Sequence, residues 1–308
     1  MSFEAKLREK KKGIKTQSVD TYLRNVRRLR RAKFELPIPP ASHTWLLEKK
    51  LFSWVDNQPL SIRRHMTTAA QVALGVYGKE SDKWKERQKT AMKLFDADRA
   101  KRILTPKQKE RIPSRGFGSL KRVIRNMKKE LAHVLNSPVG DWSFSDLRRV
   151  QELVIVAVYE NFPLRLDYAT LETEKTDGNC LFKQLKKPRG WHVQLTTFKT
   201  DKSLGKQLFK FNAANQRLLN KFVPAVKRLT THGFFLSNAN KGKLSKQGLS
   251  KRLMATTKKR IGRSFSTQLI RVLFAMQNRD VIESASEVSK KLLHSATQSL
   301  QYAKKSKP

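Results

Sequence analysis

Apolar and polar positions along the chain follow two periods. In TQSVDTYLRNVRRLRR, residues 16–31, Val19, Tyr22, Leu23, Val26 and Leu29 recur every three or four positions, which marks a helix with one apolar side. Arg24, Arg27, Arg28 and Arg31 occupy other positions around it, so the helix carries an arginine face. A break at Pro37, Pro39 and Pro40 follows, then an apolar stretch from Trp45 to Val55, then a helical run on Met66, Ala69, Ala70, Val72, Ala73 and Val76. Residues 1–105 therefore read as an all-helical bundle.

The segment LTPKQKERIPSRGFGS, Leu104 to Ser119, sets Pro106, Pro113, Gly116 and Gly118 among charged residues, the composition of an exposed connection. It predicts a linker over 106–118 and a second domain over 119–308. Leu120, Val123, Ile124, Met127, Leu131 and Val134 then give another amphipathic helix, and Asp146 to Tyr159 turns from charged to nearly all apolar, as a buried helix does. The period next shortens to two. Trp191, Val193, Leu195 and Thr197 alternate with His192, Gln194 and Thr196, and Phe209 and Phe211 flank Lys210, with DKSLG between the two runs. This predicts a β-hairpin with a basic turn. Helical patterns return over 212–227, 243–257, 266–276 and 286–302. The fold class expected is mainly α with a small β-sheet: an all-helical domain followed by a mixed α/β domain.

Charge narrows the partner. The chain has 66 Lys and Arg against 25 Asp and Glu, a formal charge of +41. Cations that neutralise phosphates release condensed counterions, so such a surface binds nucleic acid without regard to sequence. Anionic membrane is the rival partner, but it calls for one basic amphipathic segment, and here cations recur from Lys6 to Lys307 through several folded segments. Nucleic acid is the partner favoured. The apolar run Leu153 to Val158 falls far short of the ~20 residues that span a bilayer, and MSFEAKLREKKKG lacks the apolar core of a secretory signal. The expectation is an intracellular protein, neither secreted nor membrane-bound. The single cysteine, Cys180, excludes an internal disulfide and a cysteine zinc cluster.

The chemistry is suggested partly by what is missing. The sequence holds no Gly-rich phosphate loop, no HExxH and no acidic cluster of the two-metal kind, which disfavours ATP hydrolysis and metal-dependent cleavage. What stands out is Arg165 in FPLRLDYATLE, Lys199 in TTFKTDKSLG, Arg271 in STQLIRVLF, and His294 and Tyr302 in LLHSATQSLQY. Taken singly each has an ordinary reading: a paired surface arginine, a solvated hairpin lysine, a structural ion pair, a helix-end histidine, a half-buried tyrosine. In this order they resemble the tyrosine recombinase and type IB topoisomerase superfamily, and most of all recombinases of eukaryotic mobile elements and large DNA viruses.

The resemblance implies a core-binding domain and a catalytic domain closing as a C-shaped clamp on duplex DNA, which is cut and rejoined through a covalent 3′-phosphotyrosine on Tyr302 with neither metal nor cofactor. Arg165 and Arg271 would clamp the phosphate, Lys199 protonate the departing 5′ oxygen, His294 hydrogen-bond the phosphate and Asp167 support the site. Fixed cationic donors suit this chemistry, because negative charge grows on the non-bridging oxygens in the transition state. The family pattern commonly has a histidine where this chain has Gln268, and glutamine donates a hydrogen bond but is no general base. Six residues follow Tyr302, fewer than the docking helix of many recombinases, so either contacts in the implied homo-tetramer on DNA come from elsewhere or the assembly differs. The excess of charge also makes Arg24, Arg27, Arg28 and Arg31, and Lys258, Lys259 and Arg260, candidate DNA contacts, and Lys10 to Lys15 a candidate nuclear localisation signal. The place of action expected is at DNA, in a nucleus or a viral replication site. The alternatives are a type IB topoisomerase that relaxes supercoils, a catalytically inactive DNA-binding protein on the same fold, and, on charge alone, an RNA-binding structural protein.

Overall fold

In a computed structural model that describes residues 2–14, 16–34, 43–101 and 103–278, the chain divides into two units, Met1–Lys101 and Arg102–Pro308. Each has its own buried apolar cluster.

The first unit is helical: α1 (Phe3–Lys10), α2 (Thr16–Phe34), α3 (Lys49–Asp56), α4 (Leu60–Val76) and α5 (Asp82–Ala100). Val19, Leu23, Val26 and Leu29 of α2 are buried and Arg24, Arg27, Arg28 and Arg31 are exposed, as their spacing requires. Helix α4 packs against both α2 and α5, and its buried Ala69, Ala70 and Ala73 leave room for close approach. Trp84 of α5 is fully buried, and its indole N–H donates to the Leu46 carbonyl at 2.7 Å, so no polar atom is stranded in the apolar interior.

The second unit begins with α6 (Pro106–Arg111), which lies inside the stretch read as an open connection. Thr105 explains it: its hydroxyl accepts from Gln108 N at 3.2 Å while its own N–H donates to Gln108 Oε1 at 3.1 Å. Pro106 at the first helical position therefore starts a helix rather than breaking one. Then come α7 (Gly118–Glu130), α8 (Ala132–Asn136) and α9 (Phe144–Asn161). Helix α9 is capped by Ser143 and Asp146 and buried from Leu153 to Tyr159, because α7, α11 (Ala213–Leu229) and α12 (Lys246–Ile261) all pack on it. The last described helix is α13 (Thr267–Gln277).

The sheet has three antiparallel strands in the order β1 (Cys180–Gln184), β2 (Gly190–Leu195), β3 (Gln207–Lys210). Cys180 pairs with Gln194 and opens β1 with a fully buried thiol. The expected hairpin is the β2–β3 pair, and its basic connection, residues 196–206, includes a short helix, α10 (Asp201–Leu204). Both faces of β2 are covered. His192 and Gln194 are each 2% exposed, with Gln194 Nε2 donating to the carbonyls of Thr176 and Gly178 at 2.8 and 3.1 Å. The polar alternation in the sequence is thus not an alternation in burial. The helix expected from Lys243 starts at Lys246, where the Ser245 hydroxyl accepts from Gly248 N at 3.0 Å. The helix expected over 286–302 lies outside the described residues. Among the described residues no helix is long and apolar enough to cross a membrane.

Candidate active site

Helix α9 ends where Pro163 forbids its continuation. Two buried tyrosines then fix the path of the chain. The Tyr159 hydroxyl donates to the Arg165 carbonyl at 2.5 Å, and the Tyr168 hydroxyl lies 2.8 Å from the Phe162 carbonyl and 3.0 Å from that of Val158. Their rings meet edge to face, 5.0 Å apart. Burial first, with the charge of Asp167 as a lesser cause for each and Tyr159 acting on Tyr168, holds both phenols well above the usual tyrosine range, so both keep their protons. A 3-10 turn, Asp167–Thr170, follows and is closed by Thr170 Oγ1 donating to the Asp167 carbonyl at 2.7 Å. Arg165 is half-buried and Asp167 buried.

The Asp167 carboxyl is pushed up by loss of water, against the pull of Lys246, Arg165 and Arg271 and of a hydrogen bond from the Arg165 main chain. Arg271 is 1% exposed in the middle of α13 and its charge reaches both Asp167 and Tyr159. Ser266 caps α13, Phe265 N donates to Thr257 Oγ1 at 2.8 Å, and Phe274 meets Phe117 edge-on at 5.3 Å. These contacts turn Arg271 inward and leave Gln268, one turn earlier, exposed. Lys246 is exposed on the first turn of α12, which packs on the 167–170 turn. Three cations around one buried carboxylate leave an excess of positive charge at the end of α9, where an anion is favoured.

Lys199 is exposed on the 196–206 loop, beside buried Phe198, whose N–H donates to Asp201 Oδ2 at 3.3 Å. Asn179 joins this loop to the 167–170 turn. Its amide nitrogen donates to Thr170 Oγ1 at 3.1 Å and to the Thr197 carbonyl at 2.8 Å, and its oxygen accepts from Thr196 N at 2.8 Å and Thr197 N at 2.9 Å. Arg165, Asp167 and Arg271 are thus brought together, and Lys199 is linked to them through one side chain. His294 and Tyr302 lie outside the described residues.

The remaining cations fall in separate places. Arg24, Arg27, Arg28 and Arg31 line, with Asp20 and Leu23, a cleft of about 620 Å³ in the first unit. Lys258 and Lys259 are exposed in the last turn of α12, while Arg260 is held by both oxygens of Glu130 at 2.5 and 2.6 Å. That pairing lowers the Glu130 pKa. Sequence reasoning missed Lys246, Asn179 and Tyr159. Lys246 had one legible signal, a serine before it in helix-capping position. Among the described residues no group of three or more His, Cys, Asp or Glu is placed to hold a metal ion.

No protein-family model matches the sequence, and no curated protein matches it. Solved structures do. XerH site-specific recombinase bound to difH substrate, a pre-cleavage complex, aligns over 98% of this chain and 82% of its own with TM-score 0.56 and 11% identity. The chain has the tyrosine recombinase fold. Lambda integrase (residues 75–356) bound to DNA aligns over 94% of this chain and 91% of its own, at TM-score 0.47 and 13% identity. XerA recombinase aligns over 99% and 94%, at TM-score 0.44 and 12% identity. In this tyrosine recombinase fold a helical unit precedes an α/β unit, and the α/β unit holds Arg165, Asp167, Lys199 and Arg271.

Proposed function

We propose that the chain is a site-specific DNA recombinase or integrase that cuts and rejoins duplex DNA through Tyr302 without metal or ATP. The observation that carries this reading is the convergence of the neighbouring Arg165 and Asp167 with Arg271, far along the chain, at the end of α9 in a chain of tyrosine recombinase fold. The net charge of +41 supports a DNA substrate.

The tyrosines narrow the nucleophile. Tyr159 and Tyr168 are buried with their protons on main-chain carbonyls. Tyr22 and Tyr77 pack against the apolar cluster of the first unit. The fifth tyrosine, Tyr302, is the one that the family resemblance names as nucleophile. In the reaction its oxygen attacks the scissile phosphorus, the bond to the 5′ oxygen breaks, and Lys199 gives that oxygen a proton. Arg165 and Arg271 oppose the charge growing on the non-bridging oxygens, His294 adds a hydrogen bond, and Gln268 donates where it cannot act as a base. A 5′ hydroxyl from the same or another duplex reverses the step, since the phosphotyrosine conserves the bond energy. Residues 1–105 serve as the core-binding domain, joined through the linker 106–118 to the catalytic domain 119–308. The arginine face of α2, with Lys258 and Lys259, holds the DNA backbone. Four copies assemble on DNA for strand exchange.

The test is to incubate the protein with a mixed duplex pool lacking metal and ATP, denature it, and map any covalent adduct. An adduct at Tyr302 that disappears in Tyr302→Phe is the expected result. An adduct that persists in that variant overturns the assignment. Joining of two labelled duplexes separates a recombinase from an enzyme that only relaxes supercoils.

A further inference from the structure

Neighbouring strands are antiparallel, so the β1–β2 connection lies at the opposite end of the sheet from the loop carrying Lys199. At about 3.4 Å per residue, the length of β2 separates the two ends by roughly 17 Å. Leu185 in this connection is 75% exposed, the most of any exposed large apolar residue among those described. Lys183, Lys186 and Arg189 beside it are exposed as well.

Two clefts flank this ridge. One, of about 680 Å³, has Lys183 and Lys186 in its lining; the other, of about 760 Å³, has Lys183, Arg189, Lys210 and Arg217. Leu185 lines both. The one carboxylate in either lining is Glu174, which is bonded to Lys227 at 3.0 Å.

The base of the ridge is firmly seated. Gln216 Oε1 accepts from Trp191 N at 2.6 Å, and its Nε2 donates to the carbonyls of Trp191 and Phe211 at 3.0 Å each. This amide sits 2.7 Å from where a Cβ on Gly190 would lie, and Gly190 has φ +123°, so glycine alone fits there. A preformed protrusion loses little freedom on binding.

An apolar ridge with cations on both flanks complements the minor groove of duplex DNA. There two rows of phosphates, about 6 Å apart, border a floor of base edges, and apolar side chains wedge against base steps. An acidic peptide offers one row of charge rather than two. We propose that the 183–189 ridge is a second duplex contact, distinct from the candidate cleavage site, seating Leu185 in the minor groove with Lys183, Lys186 and Arg189 on the phosphate rows that flank it. It rests on the DNA reading above.

The test uses the full chain, with random-sequence duplexes, anionic lipid vesicles and polyglutamate as probes, titrated at several salt concentrations. The triple variant Lys183→Ala, Lys186→Ala, Arg189→Ala is expected to flatten the dependence of log affinity on log salt by about three, one per lost phosphate contact. Leu185→Ser is expected to weaken duplex binding several-fold at every salt with the slope unchanged. All four side chains are exposed, so both variants keep the fold, which circular dichroism checks. Wild-type binding that neither variant alters overturns this proposal alone. So does a loss confined to vesicles, which gives the ridge to a membrane surface, or to polyglutamate, which gives it to an acidic peptide. A wild-type chain that binds no duplex overturns the DNA reading itself.

Discussion

Asn179 grips both main-chain polar groups of Thr197, accepting from its N–H at 2.9 Å and donating to its carbonyl at 2.8 Å. The same amide nitrogen reaches Thr170 at 3.1 Å, so the loop that carries Lys199 is fastened to the turn that carries Asp167. Asn179→Ala removes every one of these bonds. The expected loss is about 1–3 kcal/mol of stability, read as a lower urea midpoint, with faster hydrogen exchange concentrated in residues 196–206. Covalent adduct formation falls while duplex affinity stays, because the loop still carries its charge but no longer holds its position.

Tyr159→Phe keeps the ring and deletes the bond to the Arg165 carbonyl. About 1 kcal/mol of stability is expected to go. The rate of adduct formation drops further than that figure suggests for binding, since a displaced arginine loses contacts made in the transition state. Single-turnover adduct formation set against equilibrium duplex affinity separates the two effects.

Asp167 has its folded-state pKa raised, mainly by burial. A raised acid pKa means that the protonated form is favoured in the fold, so its contribution to stability is full below the unfolded pKa and is lost as pH rises through the folded one. Asp167→Asn removes that dependence. The stability of the variant relative to wild type should therefore increase from acid pH toward neutral and level off above the folded pKa. Urea midpoints for both proteins across that range check it, and a constant difference would mean that Asp167 titrates as it does in the unfolded chain.

Arg24→Ala, Arg27→Ala and Arg28→Ala together clear most of the cationic lining of the first-unit cleft without touching the buried side of α2. The expected result is weaker binding to all duplexes and a salt slope lower by about three, with the thermal midpoint of the first unit unchanged. An unaltered slope would take α2 out of the interface.

Elements whose burial follows one period were legible in the sequence. The stripe of α2 and the apolar run of α9 declare their burial residue by residue. Strand β1 did not, because CLFKQ is too short to show a period. Within β2 the alternation misleads for a physical reason: His192 and Gln194 are polar yet buried, satisfied by partners that no alternation reveals. At the candidate site, Arg165 and Arg271 stood out through their order with Lys199, His294 and Tyr302, whereas Lys246 was one cation among 66. Asn179 was a lone amide in a polar stretch, and its role exists only once the turn and the loop are folded beside it.

Cys180 follows Asn179 directly, has no exposed surface, and is the only thiol in the chain. A thiol-alkylating reagent can reach it only when the start of β1 lifts away. The protein thus carries a built-in stopwatch: the rate at which its one sulfur is capped counts how often the clasp between the Asp167 turn and the Lys199 loop lets go. A DNA duplex that draws the loop into place should slow that count.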